Sequence, residues 1–188
     1  MPQTWLVTGC SSGFGELFVR QLRALGDNVI ATGRNAETKL AHLKSTGAMI
    51  IDLDVSSSAS EIEAKMSEAW DLYPGGIDVV VNNAGYILSG AVEELLPQEL
   101  EDIMKTNFHG PMNITRSLLP RLRARGSGTL LYMSSQAGWH ADPGASGYCA
   151  SKFALEGMPI HTVFCPSLSL APDSYSCNIS ISIKDPRY

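Results

Sequence analysis

The chain has 188 residues, of which 44% are hydrophobic and 18% are charged, and its formal net charge is −5. This composition is typical of one folded domain, and the negative charge argues against a protein that binds nucleic acids or anionic membranes in general. No apolar run is long enough to span a bilayer, the first residues lack a charged signal region, and the four cysteines lack metal-binding spacing. We therefore expect a cytoplasmic protein that holds no metal.

The first predicted element is a strand over residues 4–7, followed by a glycine-rich turn and an amphipathic helix that Gly26 ends. Gly9 allows the tight turn, Gly13 lets the backbone approach a pyrophosphate, and Gly15 allows close packing of helix against strand. Free N–H groups at the start of the helix favour the binding of phosphates. The alternative, a turn that binds no ligand, explains the spacing of the three glycines less well. The side chains expected on the buried face of the helix are Leu17, Phe18, Leu22 and Leu25.

The second predicted strand, over residues 28–32, is followed by Gly33 and Arg34. An acidic residue at this position would hydrogen-bond the ribose 2′-hydroxyl of NAD, and none is present. The guanidinium group of Arg34 suits a 2′-phosphate instead, which favours NADP over NAD. The alternative interpretation is an arginine that is only solvated.

The middle of the chain alternates between helical and extended patterns. The predicted elements are a helix over 36–45, a strand over 48–51, a helix over 58–72, a strand over 79–81, a helix over 97–125 and a strand over 129–133. Pro111 and Pro120 predict kinks or breaks in the helix over 97–125. Strands that are apolar throughout and alternate with helices predict a parallel sheet covered on both faces.

Tyr148 and Lys152 are four residues apart, so on a helix they share one face with Cβ atoms about 5–6 Å apart. An ammonium group near the ring favours the phenolate, which makes the pair a candidate general acid/base. Ser135 follows the strand over 129–133, and its hydroxyl could hydrogen-bond the oxygen that gains or loses the proton. The alternative is a surface tyrosine that lies beside a lysine by chance.

Several motifs occur in order and at fitting intervals: Thr8-Gly9-x-x-x-Gly13-x-Gly15, Asp54-Val55, Asn82-Asn83-Ala84-Gly85, Asn107, Ser135 and Tyr148-x-x-x-Lys152. Together they resemble the short-chain dehydrogenase/reductase family over residues 4–157, and residues 148–157 are similar to its hydroxysteroid and retinol dehydrogenase branch. The resemblance implies a Rossmann-like α/β fold, a doubly wound parallel sheet with helices on both faces, in a domain of residues 1–157.

The resemblance also assigns roles. Asn107 would distort its helix and hold a water, although a helix-surface amide is the alternative. Ser135 would hold the substrate oxygen, Tyr148 would be the acid/base, and Lys152 would hydrogen-bond the nicotinamide ribose. The implied reaction is hydride transfer between NADP and a small-molecule alcohol or carbonyl. The implied cofactor-binding residues are Gly9, Ser11, Ser12, Gly13, Phe14, Gly15, Arg34, Asp54, Val55, Asn82, Ala84, Gly85, Tyr148 and Lys152. In this family the helices over 97–125 and 148–157 commonly form a homo-oligomer interface.

After Gly157 the family pattern ends. Pro159 interrupts the helix, and residues 158–188 contain candidate strands over 160–165 and 178–183 but no Pro-Gly turn. The last strand and the substrate helix of the family are expected to be missing, which would leave the fifth strand as an exposed edge. Two alternatives to an enzyme therefore stay open: a non-catalytic nucleotide binder or partner in oligomers of a full-length enzyme, and a chain that does not fold stably.

Overall fold

The computed structural model describes residues 2–158 and 181–183. Within these residues one sheet contains the strands β1 (Thr4–Val7), β2 (Asn28–Gly33), β3 (Met49–Asp52), β4 (Val79–Asn82), β5 (Gly128–Tyr132) and β6 (Ile181–Ile183). Their spatial order is β3-β2-β1-β4-β5-β6. The first five strands are parallel, and β6 pairs with β5 in the antiparallel sense.

The helices lie between the strands along the chain. They are α1 (Gly13–Ala24), α2 (Ala36–Lys39), α3 (Ala59–Trp70), α4 (Pro97–Met104), α5 (Gly110–Arg125) and α6 (Ser146–Glu156). A capping box starts α3, because the Ser58 hydroxyl accepts a hydrogen bond from Glu61 N while the Glu61 carboxylate accepts one from Ser58 N.

Both faces of the sheet are apolar and covered. Successive residues of a strand point to opposite faces, so Leu6 packs with the buried side of α3 and α5, whereas Trp5 and Val7 pack with α1 and Leu43. The prediction of a parallel sheet with helices on both faces is confirmed. Ile62, Met66 and Ala69 form the buried side of α3.

The buried face of α1 differs from the predicted one. Leu17 and Leu25 are 52% and 78% exposed, and the side chains that face the sheet are Val19 and Leu22. Gly15, Val19 and Leu22 follow the i, i+4, i+7 spacing of one helix face. The contact of Gly15 with the turn after β1 therefore fixes the rotation of α1, and the prediction for Leu17 and Leu25 was wrong.

Two predicted helices are interrupted. The segment over 36–45 divides into α2 and a 3-10 helix (Ala41–Thr46), which places Leu40 and Leu43 on one buried face because this helix has three residues per turn. The segment over 97–125 is broken before Pro111, by a π-helical turn (Lys105–His109), and Pro120 lies within α5 without ending it.

The edge beside β5 is also different from the expectation. β6 pairs with β5 through Leu130–Ile181, Thr129–Ser182 and Gly128–Ile183, so β5 is not an exposed edge over these residues. The prediction of a strand within 178–183 is confirmed for β6. The candidate strand over 160–165 and the interruption at Pro159 lie outside the described residues.

The strand order reverses between β1 and β4, and the loops that follow these strands are tied together. The Thr8 hydroxyl accepts hydrogen bonds from the backbone N–H groups of Asn83 and Ala84, both at 3.0 Å. The Asn83 amide donates to the carbonyl oxygens of Thr8 and Gly9 at 2.8 and 3.2 Å. Parallel α/β sheets bind ligands at such a switch point.

Gly9 is where these loops come closest. It has a φ of +70°, and a Cβ added to it would lie 2.8 Å from Ala84 Cα. Gly26 has a φ of +88° but open space around its Cβ position. We expect Gly9→Ala to lower the free energy of unfolding by about 1–3 kcal/mol more than Gly26→Ala, because only the first adds a collision with the backbone to the backbone strain.

Urea unfolding of the two variants, monitored by circular dichroism without nucleotide, measures this difference. Gly26→Ala serves as the control for the strain of a positive φ alone. Equal losses in the two variants would contradict the close approach of the loops.

Candidate active site

A cavity of about 430 Å³ opens at the carboxyl ends of the central strands. Its lining includes nine of the residues predicted to bind the cofactor: Gly9, Ser11, Ser12, Phe14, Arg34, Asp54, Val55, Ala84 and Gly85. It also includes residues outside the predicted cofactor set, of which Asn83 belongs to the motif over 82–85: Gly33, Lys39, Leu53, Asn83, Tyr86 and Thr106. The structure thus brings together at one switch point segments that lie far apart in the sequence.

The glycine turn leaves backbone N–H groups at the start of α1 accessible to an anion. Gly13 has a φ of +60° and open space around its Cβ position, whereas a Cβ on Gly15 would collide with the Gly9 carbonyl oxygen. In the described part of the chain, the Ser12 side chain makes no capping hydrogen bond to the first turn of α1. The N–H groups there can therefore hold the phosphates of a dinucleotide, and the turn fits such a ligand.

The two asparagines after β4 have different surroundings. Asn82 is 3% exposed, its amide donates to the Leu131 carbonyl oxygen at 3.4 Å, and its Oδ1 has no hydrogen-bond partner among the described residues. Asn83 lines the cavity and holds the glycine turn. Because both faces of the sheet are covered, every residue of β4 is buried, and Asn82 is its last residue. The sequence signal that could have separated the two asparagines is therefore the end of the apolar strand, since Asn83 lies beyond it.

Two cations and one anion line the cavity. Arg34 and Lys39 follow β2 and are exposed, and Asp54 follows β3. The Asp54 carboxylate accepts hydrogen bonds from the backbone N–H and the hydroxyl of Ser56 at 2.9 and 2.7 Å, which fixes it in a local turn. The positive side chains thus lie on the β2 side of the cavity, where the sequence predicts a 2′-phosphate.

Tyr86 forms part of the cavity wall on the β4 side. Burial raises its pKa, and the charges of Asp102 and Glu99 raise it further, while the Arg34 guanidinium acts in the opposite direction. The phenol therefore stays protonated near neutrality and remains a hydrogen-bond donor toward the cavity.

The predicted catalytic pair lies on one face of α6. Lys152 is 6% exposed, and its Nζ lies 5.7 Å from the centroid of the Tyr148 ring. The ammonium group donates a hydrogen bond to the Met133 carbonyl oxygen at 2.7 Å. Ser135 is two residues beyond Met133, and its hydroxyl oxygen accepts a hydrogen bond from Ala137 N at 3.2 Å. Thus α6 and the segment after β5 supply the acid/base candidates.

Asn107 lies inside the π-helical turn and is 1% exposed. Its amide nitrogen donates to the Tyr86 carbonyl oxygen and to the Ser151 hydroxyl, both at 3.0 Å, and its Oδ1 accepts from Tyr86 N at 3.1 Å. The helix is distorted at the position where the sequence predicts it, and burial of the side chain excludes the alternative of a helix-surface amide. The role of Asn107 in holding a water stays a prediction. The side chain joins the loop after β4 to α6.

Gly85 connects the cavity with this group. A Cβ added to Gly85 would lie 3.1 Å from Asn107 Oδ1 and 3.8 Å from Lys152 Nζ. Gly85 also lines the cavity, so the acid/base candidates lie directly beside one end of the cavity. Gly13, Gly15, Asn82, Tyr148 and Lys152 are the predicted cofactor residues that do not form the wall of the cavity itself.

Membrane-spanning helices and metal-binding clusters are both absent from the described residues. None of their helices is both long and apolar enough to cross a membrane. No cluster of three or more histidine, cysteine, aspartate or glutamate side chains in residues 2–158 and 181–183 has the arrangement needed to hold a metal ion.

Known proteins resemble this chain over most of its length. The family model of the short chain dehydrogenases matches residues 3–162. The oxidoreductase calM of Penicillium decumbens is 38% identical over 162 residues, which are 82% of this chain and 53% of that protein. The NADPH-dependent pterin aldehyde reductase of Arabidopsis thaliana is 34% identical over 164 residues, covering 83% of this chain and 66% of the relative.

Among solved structures, a short-chain dehydrogenase from Streptomyces avermitilis superposes with a TM-score of 0.78 and 41% identity. The match covers 83% of this chain and 58% of that one. The chain spans about half the length of the first curated relatives it matches. The match of the family model to most of the chain, together with the shared fold, is decisive: the chain belongs to the short-chain dehydrogenase family.

Proposed function

We propose that this protein is an NADP-dependent oxidoreductase that interconverts an alcohol and a carbonyl compound by hydride transfer, with Tyr148 as the acid/base. The observation that carries the proposal is the continuity at Gly85, where the cavity meets Asn107 and Lys152. A small-molecule substrate would bind beside Tyr148, at the end of the cavity that Gly85 marks. The hydride comes from, or returns to, the nicotinamide when the cofactor is bound.

The cofactor would be held by the chain's own backbone and cations. The turn over residues 9–15 would bind the pyrophosphate, and Asp54 and Val55 would lie at the adenine. Arg34 would bind a 2′-phosphate with its guanidinium fork, with Lys39 as a second cation nearby. The name of the Arabidopsis relative, which specifies NADPH, supports the same choice.

The proton would move at the substrate oxygen. In the reducing direction the Tyr148 hydroxyl would donate its proton to the carbonyl oxygen, and in the oxidising direction the phenolate would take it back. The Lys152 ammonium, which the Met133 carbonyl holds beside the ring, would stabilise the phenolate. The hydroxyl of Ser135 would hydrogen-bond the same substrate oxygen.

A second candidate function is nucleotide binding without turnover, alone or within oligomers of a full-length enzyme. The family model matches residues 3–162 and not the residues that follow, and this departure from the family pattern within the chain favours the second candidate. The helices over 97–125 and 148–157 would form a homo-oligomer interface, consistent with the exposed Phe153 side chain. We also propose a cytoplasmic location, because the free thiols of Cys10 and Cys149 suit a reducing compartment.

The cofactor preference can be tested at Arg34. We expect Arg34→Ala to weaken NADPH binding by about 10- to 100-fold and to leave NADH binding nearly unchanged, because only NADPH carries the phosphate that a charge-assisted hydrogen bond would hold. Titration of each variant with the two nucleotides, followed by nucleotide fluorescence, gives the dissociation constants.

Arg20→Ala is the matched control, because Arg20 pairs with Glu16 on the exposed side of α1 and lies outside the cavity. Lys39→Ala shows whether the second cation contributes. The assignment of Arg34 would be refuted if Arg34→Ala weakened both nucleotides equally or neither of them.

The acid/base role can be tested at Tyr148. We expect Tyr148→Phe to lower kcat for reduction of aldehydes and ketones by about 10²–10⁴-fold, since the proton donor is lost. NADPH binding should weaken by less than about tenfold, because most of its contacts lie elsewhere. Steady-state oxidation of NADPH with benzaldehyde and cyclohexanone as the first substrates, together with nucleotide titration, measures both effects.

Tyr73→Phe is the control, because it removes a phenol hydroxyl beside the hydrophobic core rather than at the site. If the wild-type chain binds NADPH but turns over no aldehyde or ketone, the second candidate function is correct. Activity that survives in Tyr148→Phe would exclude Tyr148 as the proton donor.

A further inference from the structure

We propose that Glu156 is a positioning residue that fastens the serine loop, residues 134–138, to the last turn of α6 and so sets the position of Ser135 relative to Tyr148. This inference rests on the proposed function, because it concerns how the acid/base group is assembled. It assigns a role to two side chains, Ser134 and Glu156, that neither the cavity nor the catalytic motifs include.

The contact itself joins two segments that are distant in the sequence. The Ser134 hydroxyl donates a hydrogen bond to the Glu156 carboxylate, and both side chains are partly buried. Ser134 directly precedes Ser135, and Glu156 is the last residue of α6. The bond therefore links the loop that carries one proposed catalytic group to the helix that carries the others.

Close packing surrounds this bond. Gly138 is buried, and a Cβ added to it would lie 3.0 Å from Glu156 Cγ, 3.3 Å from the Lys152 carbonyl oxygen and 3.3 Å from Ser134 Oγ. A methyl group at this position would require the Glu156 side chain or the loop to shift by a few tenths of an ångström. A shift of the loop along α6 would break the hydrogen bond and this packing together.

The spacing along α6 supports a shared role. Tyr148, Lys152 and Glu156 follow one another at intervals of four, so they lie along one side of the helix. A carboxylate at the C-terminal end of a helix is electrostatically unfavourable, and the last turn of α6 contains no basic residue. The hydrogen bond from Ser134 offsets this cost, so the position of Glu156 is explained by its partner across the loop.

Fixing Ser134 also fixes Ser135. Ser135 has an extended backbone, with φ −158° and ψ 159°, and adjacent residues of an extended chain point to opposite sides. With Ser134 directed at Glu156, the Ser135 hydroxyl is directed away from this contact. Its oxygen accepts from Ala137 N, and its hydrogen has no acceptor among the described residues, so it is available to the substrate oxygen.

The test compares Glu156→Ala, Glu156→Gln, Ser134→Ala and the double variant Ser134→Ala/Glu156→Ala. Glu68→Ala is the control, because Glu68 is a helical glutamate that pairs with Lys65 on the exposed side of α3. Amide hydrogen exchange of the peptide covering residues 134–140 reports how firmly the loop is held, without requiring turnover. Kinetics with NADPH and the better of benzaldehyde and cyclohexanone report its effect on catalysis.

We expect Glu156→Ala and Ser134→Ala each to speed exchange in this peptide by about tenfold and to lower kcat by about tenfold or more, with KM and NADPH affinity nearly unchanged. The double variant should be no worse than either single one, because both remove the same bond. Glu156→Gln, which keeps an acceptor, should retain most of the kcat. Glu68→Ala should match the wild type.

Each outcome decides between the proposals. Unchanged exchange in Glu156→Ala overturns the inference whether or not the protein is active. Faster exchange with an unchanged kcat shows that the contact is structural and overturns the positioning role. If the wild type shows no turnover but the variants exchange faster than the wild type, the fastening of the loop is supported and the proposed function is refuted. A loss of NADPH affinity equal to the loss of kcat would indicate general unfolding of the variant and would also overturn the positioning role of Glu156.

Discussion

The contact between the turn after β1 and the turn after β4 is the constraint on which the rest of the site depends. Gly9 lies against Ala84 so closely that no side chain fits, and the Thr8 hydroxyl and the Asn83 amide close the gap with hydrogen bonds in both directions. This contact fixes where α1 begins and where the loop after β4 turns toward α6. The contact thus sets the positions of both the cavity and the proposed acid/base group.

The second half of the site is assembled by polar side chains rather than by strands. The Asn107 side chain forms hydrogen bonds with Tyr86 and Ser151, and the Ser151 hydroxyl in turn donates to the Tyr148 carbonyl oxygen at 2.7 Å. A buried amide gains little net stability from such bonds but loses much when one is broken. The network therefore holds α6 in one arrangement, which is what proton transfer at a fixed distance requires.

Local patterns were sufficient for the parts of the site that a single segment forms. The spacing of Tyr148 and Lys152 defines a helix face wherever the helix lies, so their proximity follows from the sequence. The contributions of Asn83 and Lys39 to the cavity depend on which side of a strand end faces the neighbouring loop, and adjacent residues such as Asn82 and Asn83 look alike in the sequence. The fold class was predictable because alternating apolar strands and helices admit few arrangements, whereas the rotation of α1 depends on a tertiary contact.

The pairing of β6 with β5 has a consequence for the order of folding. Strands β1 to β5 and their helices all precede β6 in the chain, so β5 must wait for a partner about 50 residues further on. During synthesis on the ribosome, a row of unpaired amides and carbonyls beside Leu130 would therefore be open while the other strands have already joined. The sheet would be completed last at its β5 edge, by a strand that runs antiparallel to all the others.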